Sequence, residues 1–211
     1  MSFNLPKIYP ITDTRLSGLS HAEQVERLLG GGATLIQLRD KVSARRKFYH
    51  DAADALRIAH NHHARLIVND RVDVALAIRA DGVHLGQSDI PVEAARRLLG
   101  KNAIIGFSTH NVAQAKLATR LPIDYLAFGP VFQTSTKENP DPVAGLTALR
   151  NVRSIIGSLP LVAIGGITVA NGEAVFNAGA DSVAVISALL TDVANIDENI
   201  RKMFTIASSE M

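Results

Sequence analysis

The sequence predicts an α/β fold of the (β/α)8 TIM-barrel type in a single domain, and three observations carry that prediction. Eight short aliphatic or β-branched runs are each followed by a stretch with helical periodicity, the pattern of β/α units around a parallel sheet. A length of 211 residues fits eight such units near the lower end of the barrel size range and leaves no room for a second domain. The competing doubly wound open sheet would carry an early Gly-rich βα turn of the dinucleotide kind, which the chain lacks. The barrel is expected to occupy 1–211, with residues 1–6 and 208–211 as loose termini.

Taken in order, the strands read as 8–12, 34–38, 66–69, 82–85, 104–108, 125–129, 161–164 and 182–186. Helical patterns fall at 22–29, 44–62, 72–78, 92–99, 112–121, 146–156, 169–178 and 196–207. Gly30, Gly31, Gly32, Gly100 and Gly179 sit where helix C-termini call for positive φ. The segment 133–145, QTSTKENPDPVAG, is a polar loop of a length that is often functional, and it is expected to close over a bound ligand.

Composition narrows the function classes. Hydrophobic residues make up 47% of the chain, enough for a large core, and no apolar run is long enough to span a bilayer. The start MSFNLPK lacks the apolar block of a signal peptide, so a cytoplasmic location is expected, with no membrane partner. The absence of cysteine excludes disulfides, thiolate chemistry and zinc ribbons. Lys and Arg exceed Asp and Glu only by 22 to 20 and are scattered, which argues against a nucleic-acid partner. Small anionic ligands remain compatible with a pI near 9.0. Aliphatic helix faces would suit a homo-oligomer, and they suit a barrel core equally well.

A barrel of this kind carries its chemistry at the C-terminal ends of the strands. The polar residues there have a common theme. Strand two ends in Gln37, Arg39 and Lys41, strand three in Asn69 and Asp70, strand four in Gln87 and Asp89, and strand five in Ser108, Thr109 and His110. The sixth unit adds Thr134, Thr136 and Lys137, the seventh Gly165 and Gly166, and the eighth Ser187. If strands three and four are parallel neighbours about 4.8 Å apart, Asp70 and Asp89 meet at one rim. Two hard oxygen ligands with open positions for water and phosphate suit Mg²⁺. The competing reading is that each aspartate caps the helix after it. Arg39, Lys41 and Lys137 could surround a pyrophosphate, or be ordinary surface charges. The Gly165-Gly166-Ile167 turn and Ser187 occupy positions where barrels bind phosphate through backbone N–H groups. His84 falls inside a strand and reads as packed. His62 and His63 read as a solvated helix end, and only His110 stands at a strand end, beside the cap residue Asn111. Tyr9, Thr12 and Asp13 could line the cavity or simply pack and turn.

These residues fall into motifs that resemble one family. QLRDK at 37–41, NDRVD at 69–73, GVHLGQSD at 82–89, STHN at 108–111, GPVFQTSTK at 129–137, AIGGI at 163–167 and VISA at 185–188 are similar to thiamine-phosphate synthase. Each is short, and their joint occurrence at successive strand ends is what makes the resemblance specific. It implies a transferase that couples hydroxymethylpyrimidine pyrophosphate to a thiazole phosphate, plain or carboxylated, with release of pyrophosphate. By the same resemblance Asp70 and Asp89 would hold Mg²⁺, and Arg39, Lys41, Asn69 and Lys137 the pyrophosphate. Gln37 and Ser108 would meet the aminopyrimidine, while Thr134, Thr136, Gly166, Ile186 and Ser187 would bind the thiazole phosphate. Arg39, Lys41, Ser108 and Lys137 would do the catalytic work. In the family pyrophosphate leaves first and a ring-stabilised cation is then attacked, which needs no strong protein base. Two alternatives stand beside this: a thiazole phosphate tautomerase of the related barrel family, using His110 as acid and base, and a non-catalytic binder of thiamine intermediates.

Overall fold

The computed structural model describes residues 4–134, 136 and 141–206. Eight parallel strands close a barrel in sequence order: β1 (Ile8–Thr12), β2 (Leu35–Leu38), β3 (Arg65–Asn69), β4 (Gly82–Leu85), β5 (Ile104–Thr109), β6 (Tyr125–Phe128), β7 (Leu161–Ile164) and β8 (Ser182–Val185). Closure is made by β1 and β8, with Ile8 opposite Val183 and Pro10 opposite Val185. The helices are α1 (Thr14–Ser17), α2 (His21–Gly30), α3 (Arg45–Asn61), α4 (Val72–Ile78), α5 (Val92–Leu99), α6 (Val112–Ala118), α7 (Gly145–Ile156), α8 (Gly172–Asn177), α9 (Ser187–Leu190) and α10 (Ile196–Thr205). The expected (β/α)8 barrel is therefore observed, with two short helices, α1 and α9, that helical periodicity is too brief to reveal.

The strands are apolar throughout because each has two buried faces. Ile8, Ile36, Leu66, Val68, Val83, Ile105, Leu126, Leu161 and Val183 pack outward into the layer shared with the helices. Alternate residues, among them Ile11, Leu35, Ile67, Ile104, Ala127, Val162 and Ala184, fill the barrel interior. The longer helices, α2, α3, α7 and α10 among them, each turn one buried face to that sheet. In α2 the buried set is His21, Gln24, Val25 and Leu28, the spacing of one helical face, and a Ser20–Glu23 capping box starts it.

Of the five glycines expected at positive φ, Gly32 (103°), Gly100 (84°) and Gly179 (99°) adopt it. Gly30 lies within α2, and Gly31 has φ −88°. Gly31 answers a packing demand instead: a Cβ there would stand 2.0 Å from Ile200 Cγ2 and 2.7 Å from the Asp197 carbonyl oxygen of α10.

One device recurs three times at the N-terminal end of the barrel. Asp81, Asp124 and Asp181 precede β4, β6 and β8, and each accepts a backbone N–H from the strand before, from Leu66 (2.8 Å), Ile105 (2.7 Å) and Leu161 (2.8 Å). Each also meets a basic side chain from a helix, His60 at 3.0 Å, Arg96 at 2.7 Å and Arg153 at 2.7 Å. Conserving those bonds matters to strand register and not to the opposite rim. Asp124→Ala should leave the Ile105 N–H and Arg96 without their shared acceptor and lower stability by about 1–3 kcal/mol in urea denaturation, with ligand binding at the far rim unchanged.

Candidate functional site

A cavity of about 460 Å³ opens at the C-terminal ends of the strands. Gln37, Arg39, Lys41, Asn69, Asp70, Asp89, Ser108, Thr134, Thr136, Gly166, Ile186 and Ser187 all line it. Seven strands, β2 to β8, thus bring together every site residue expected from the sequence except Lys137, which lies outside the described residues along with Ser135 and 138–140 of the same loop. Thr134, Thr136 and Asp141, from the described part of that loop, face the cavity too.

The two aspartates converge, and neither caps a helix. Arg71 and Pro91 occupy the N-cap positions of α4 and α5, without side-chain cap bonds. Asp70 instead adopts φ 61°, a left-handed conformation that aspartate tolerates better than most residues, while its N–H bonds to the His84 carbonyl at 2.8 Å. Asp89 turns back so that its Oδ2 accepts the Gly86 N–H at 2.7 Å. The carboxyls are close enough to hydrogen bond to one another. Burial raises the Asp89 carboxyl above its ordinary range, the Gly86 N–H opposes that, and the neighbouring Asp70 charge adds to it. Two carboxylates at this distance need a proton or a cation between them. Lys41 already places its ammonium on Asp70 Oδ2. The donor set, two carboxylates with further positions facing the cavity, suits a hard divalent cation completed by water or phosphate oxygens. Among the described residues no cluster of three or more His, Cys, Asp or Glu forms a full protein cage.

Arg39 also lines the cavity, with its Nη1 on Asp13 Oδ2 at 2.8 Å. The loop that carries Arg39 and Lys41 is fixed from behind by a buried network. Asp40 Oδ1 accepts the N–H groups of Val42 (2.8 Å) and Ser43 (2.7 Å), and Oδ2 meets His21 Nε2 at 3.2 Å. Burial would raise the Asp40 carboxyl, but the bonds from Ser43, Val42 and His21 outweigh it and hold it at about 2. With Nε2–H on a carboxylate, His21 Nδ1 is an acceptor, and Thr12 donates to it at 2.7 Å. Asp51 of α3 accepts the backbone N–H groups of His21 and Ala22, which anchors the start of α2. Thr12 and Asp13 therefore pack and turn behind the rim, whereas Tyr9 reaches the cavity.

His84 is packed, as its place in a strand implied, and it is also connected. Its Nε2 lies 2.8 Å from Ser108 Oγ and its Nδ1 2.9 Å from the Tyr125 hydroxyl. Tyr125 reaches the Tyr9 hydroxyl at 2.9 Å, and Tyr9 accepts Gln37 Nε2–H at 3.1 Å. Sequence reading missed Tyr125, whose signal was Gly106 in the middle of a strand: a Cβ at 106 would stand 2.0 Å from the Tyr125 ring. His110 turns Nδ1 onto the Gly129 carbonyl at 2.8 Å, and Asn111 caps α6 through Gln114 N–H at 2.9 Å.

Barrel, rim cavity and paired acidic and basic groups define a (β/α)8 protein built to hold small anionic ligands. Residues 8–189 match the family described as thiamine monophosphate synthase, and the chain belongs to that family. It is 43% identical to the thiamine-phosphate synthase of Chloroflexus aurantiacus over 207 residues, covering 97% of this chain and 95% of the relative. The thiamine-phosphate synthase of Clostridium novyi is 46% identical over 185 residues, covering 87% and 90%. Among solved structures, the thiamine phosphate pyrophosphorylase of Pyrococcus furiosus superposes with a TM-score of 0.85 at 38% identity, covering 96% of this chain and 95% of that one.

Burial keeps the His84 imidazole neutral down to about 4, against an ordinary 6.5. The unfolded chain therefore binds that proton from pH 6.5 downward and the folded one only near 4. Stability from this group is complete above pH 6.5 and is lost as the pH falls toward 4. An NMR titration should show the His84 ring shifting only near pH 4, while urea midpoints decline across the same window.

Proposed function

We propose that this protein is a thiamine-phosphate synthase, a transferase that couples hydroxymethylpyrimidine pyrophosphate to a thiazole phosphate and releases pyrophosphate. The observation that carries this reading is the convergence of Asp70, Asp89, Arg39 and Lys41 on one rim of the barrel, across a cavity from Gly166, Ile186 and Ser187.

In this reading Arg39, Lys41 and Asn69 hold the pyrophosphate, joined by Lys137 from the loop after β6. Arg39 and Lys41 arrive paired with Asp13 and Asp70, so their charge is held in place before substrate enters and little reorganisation is needed when negative charge develops on the leaving group. Gln37 and Ser108 take the pyrimidine ring. Thr134, Thr136, Gly166, Ile186 and Ser187 take the thiazole phosphate, with Gly165 and Gly166 at positive φ (104° and 63°) turning the backbone toward it. Asp70 and Asp89 would hold Mg²⁺, which when bound supplies positive charge to the departing diphosphate. A dissociative substitution of this kind asks the protein for charge, alignment and exclusion of water, and for no strong base. That fits a cavity floored by Ile11, Ala127, Val162, Ile164 and Ala184. No helix among the described residues is long and apolar enough to cross a membrane, which agrees with a cytoplasmic enzyme acting on small molecules.

Incubation with both substrates, following pyrophosphate release, tests the activity directly; no release with both substrates and Mg²⁺ present would overturn it. Asp89→Ala should lower kcat/KM by about 100-fold or more and raise the Mg²⁺ concentration needed for half activity. Unchanged activity at low Mg²⁺ would remove the metal role. His110→Ala should leave most of the coupling activity, whereas a tautomerase relying on that ring would lose its own. Asp40→Ala, which releases the loop behind Arg39 and Lys41, should raise KM for the pyrophosphate substrate about tenfold while KM for the thiazole phosphate stays near its original value.

A further inference from the structure

The hydrogen bonds that cross the barrel interior run unbroken from Gln37 on β2 through Tyr9 on β1, Tyr125 on β6 and His84 on β4 to Ser108 on β5. Both ends face the cavity. The three middle members are buried, Tyr9 at 1% exposure, Tyr125 at 0% and His84 at 7%.

We propose that Tyr9, Tyr125 and His84 act as positioning residues that couple Gln37 to Ser108, so that the two present one acceptor and one donor to a heteroaromatic ring and never two donors. This rests on the pyrimidine reading of the site given above.

The argument is a count of protons. Each hydroxyl has one hydrogen, and a neutral imidazole has one N–H and one bare nitrogen. If the Gln37 amide N–H₂ donates to Tyr9, then Tyr9 donates to Tyr125, Tyr125 to His84 Nδ1, and His84 Nε2–H to Ser108. Gln37 then turns its Oε1 to the cavity, and Ser108 has its O–H free to donate there. An exocyclic amino group meets the first and a bare ring nitrogen the second. Reversing every bond gives an equally complete chain, with the Gln37 N–H₂ facing the cavity and the Ser108 hydroxyl turned inward, leaving its lone pairs outward. That pattern suits the deaminated ring, which carries a carbonyl and a ring N–H. Two outward donors, however, leave two hydroxyl hydrogens for the three links between His84 Nδ1, Tyr125, Tyr9 and Gln37, so that one pair of acceptors faces each other with no hydrogen between them and one buried bond is lost. Nothing in the chain can be rotated to repair it, because Tyr125 fills the gap left by Gly106 and its ring packs on His84 with centroids 5.5 Å apart.

The discriminating probe is a ring in which a methoxy group replaces the amino group, since it offers acceptors at both positions. Affinities of the aminopyrimidine diphosphate and its methoxy analogue would be measured by calorimetry with Mg²⁺. Both compounds would carry carbon in place of the ester oxygen so that neither expels its diphosphate. The wild-type protein should prefer the amino compound by roughly 10- to 100-fold, the cost of one unpaired buried bond. In Tyr125→Phe, which cuts the chain and frees each end, that preference should shrink by about tenfold while the melting temperature still reports a folded barrel. Tyr9→Phe cuts the chain one link away and should shrink it likewise, so it serves where Tyr125→Phe does not fold. A preference unchanged in a folded variant overturns the relay. Failure of the wild-type protein to bind either compound overturns the pyrimidine reading, and the relay with it.

Discussion

The interior of a closed eight-stranded barrel has space for side chains and little else, so a polar atom placed there must find its partner among other side chains. This constraint organises the molecule. The lower interior is filled by Leu35, Ile67, Ile104 and Val162, which need no partners. Two residues further along β2 and β3, and four further along β5 beyond Gly106, Gln37, Asn69 and Ser108 replace the aliphatic residues and face the cavity. Tyr9, Tyr125 and His84 occupy the boundary, each with its polar atom bonded to another. The site is therefore a consequence of strand alternation: the same period that packs the core delivers this set of polar groups to one rim, whereas Ser182, on the interior face of β8 opposite Val162, is buried with its Oγ lacking a hydrogen-bond partner among the described residues.

The two buried histidines use that setting in opposite ways. His21 has a carboxylate on Nε2 and the Thr12 hydroxyl on Nδ1. The carboxylate can only accept, so one tautomer and one direction are fixed, and the loop bearing Arg39 and Lys41 inherits that rigidity. His84 lies between two hydroxyls, each of which can donate or accept. Its direction is open until something at the end of the chain decides it. Burial lowers the proton affinity of both rings, so neither difference comes from charge. A fixed element holds cations, and in the proposed reading a reversible one would meet the ring whose hydrogen-bonding pattern must be read.

Much of this was legible in the sequence because barrel units announce themselves locally. The bounds read for 8–12, 82–85 and 161–164 coincide with β1, β4 and β7, and those read for 72–78 and 92–99 coincide with α4 and α5. The C-terminal rule for barrel strands then selected a set of residues that does converge. Less legible was whatever depends on contacts distant in sequence. The helix read as 169–178 begins only at Gly172, because Asn171 closes a turn on the Thr168 N–H and the Gly166 carbonyl first. Asp70 and Asp89, taken singly, read more readily as helix caps, and the structure places both on the cavity instead. The relay joins residues up to 116 positions apart, and no local pattern marks such a chain. Gly106 alone hinted at it, as a strand position where a side chain was missing for a reason.

That missing side chain also explains why stability and chemistry can coexist in so small a barrel. Gly82 and Gly106 lie on adjacent strands, in β4 and β5. A Cβ at 82 would meet the Ile104 carbonyl oxygen at 1.9 Å, and one at 106 would meet the Tyr125 ring at 2.0 Å. The interior volume Gly106 gives up is taken by Tyr125, whose ring is wholly buried and packs edge-on to Tyr9 at 5.8 Å, whereas Gly82 lets the Ile104 backbone approach. An aromatic ring in that place contributes a large apolar burial. It also carries a hydroxyl to the centre of the barrel. Restoring a side chain at Gly106 would expel the ring and break the link between Gln37 and Ser108 together. Strand packing and the reading of a ligand at the rim thus depend on the same residue pair, Gly106 and Tyr125, while the Asp124 anchor at the other end of β6 acts on register alone.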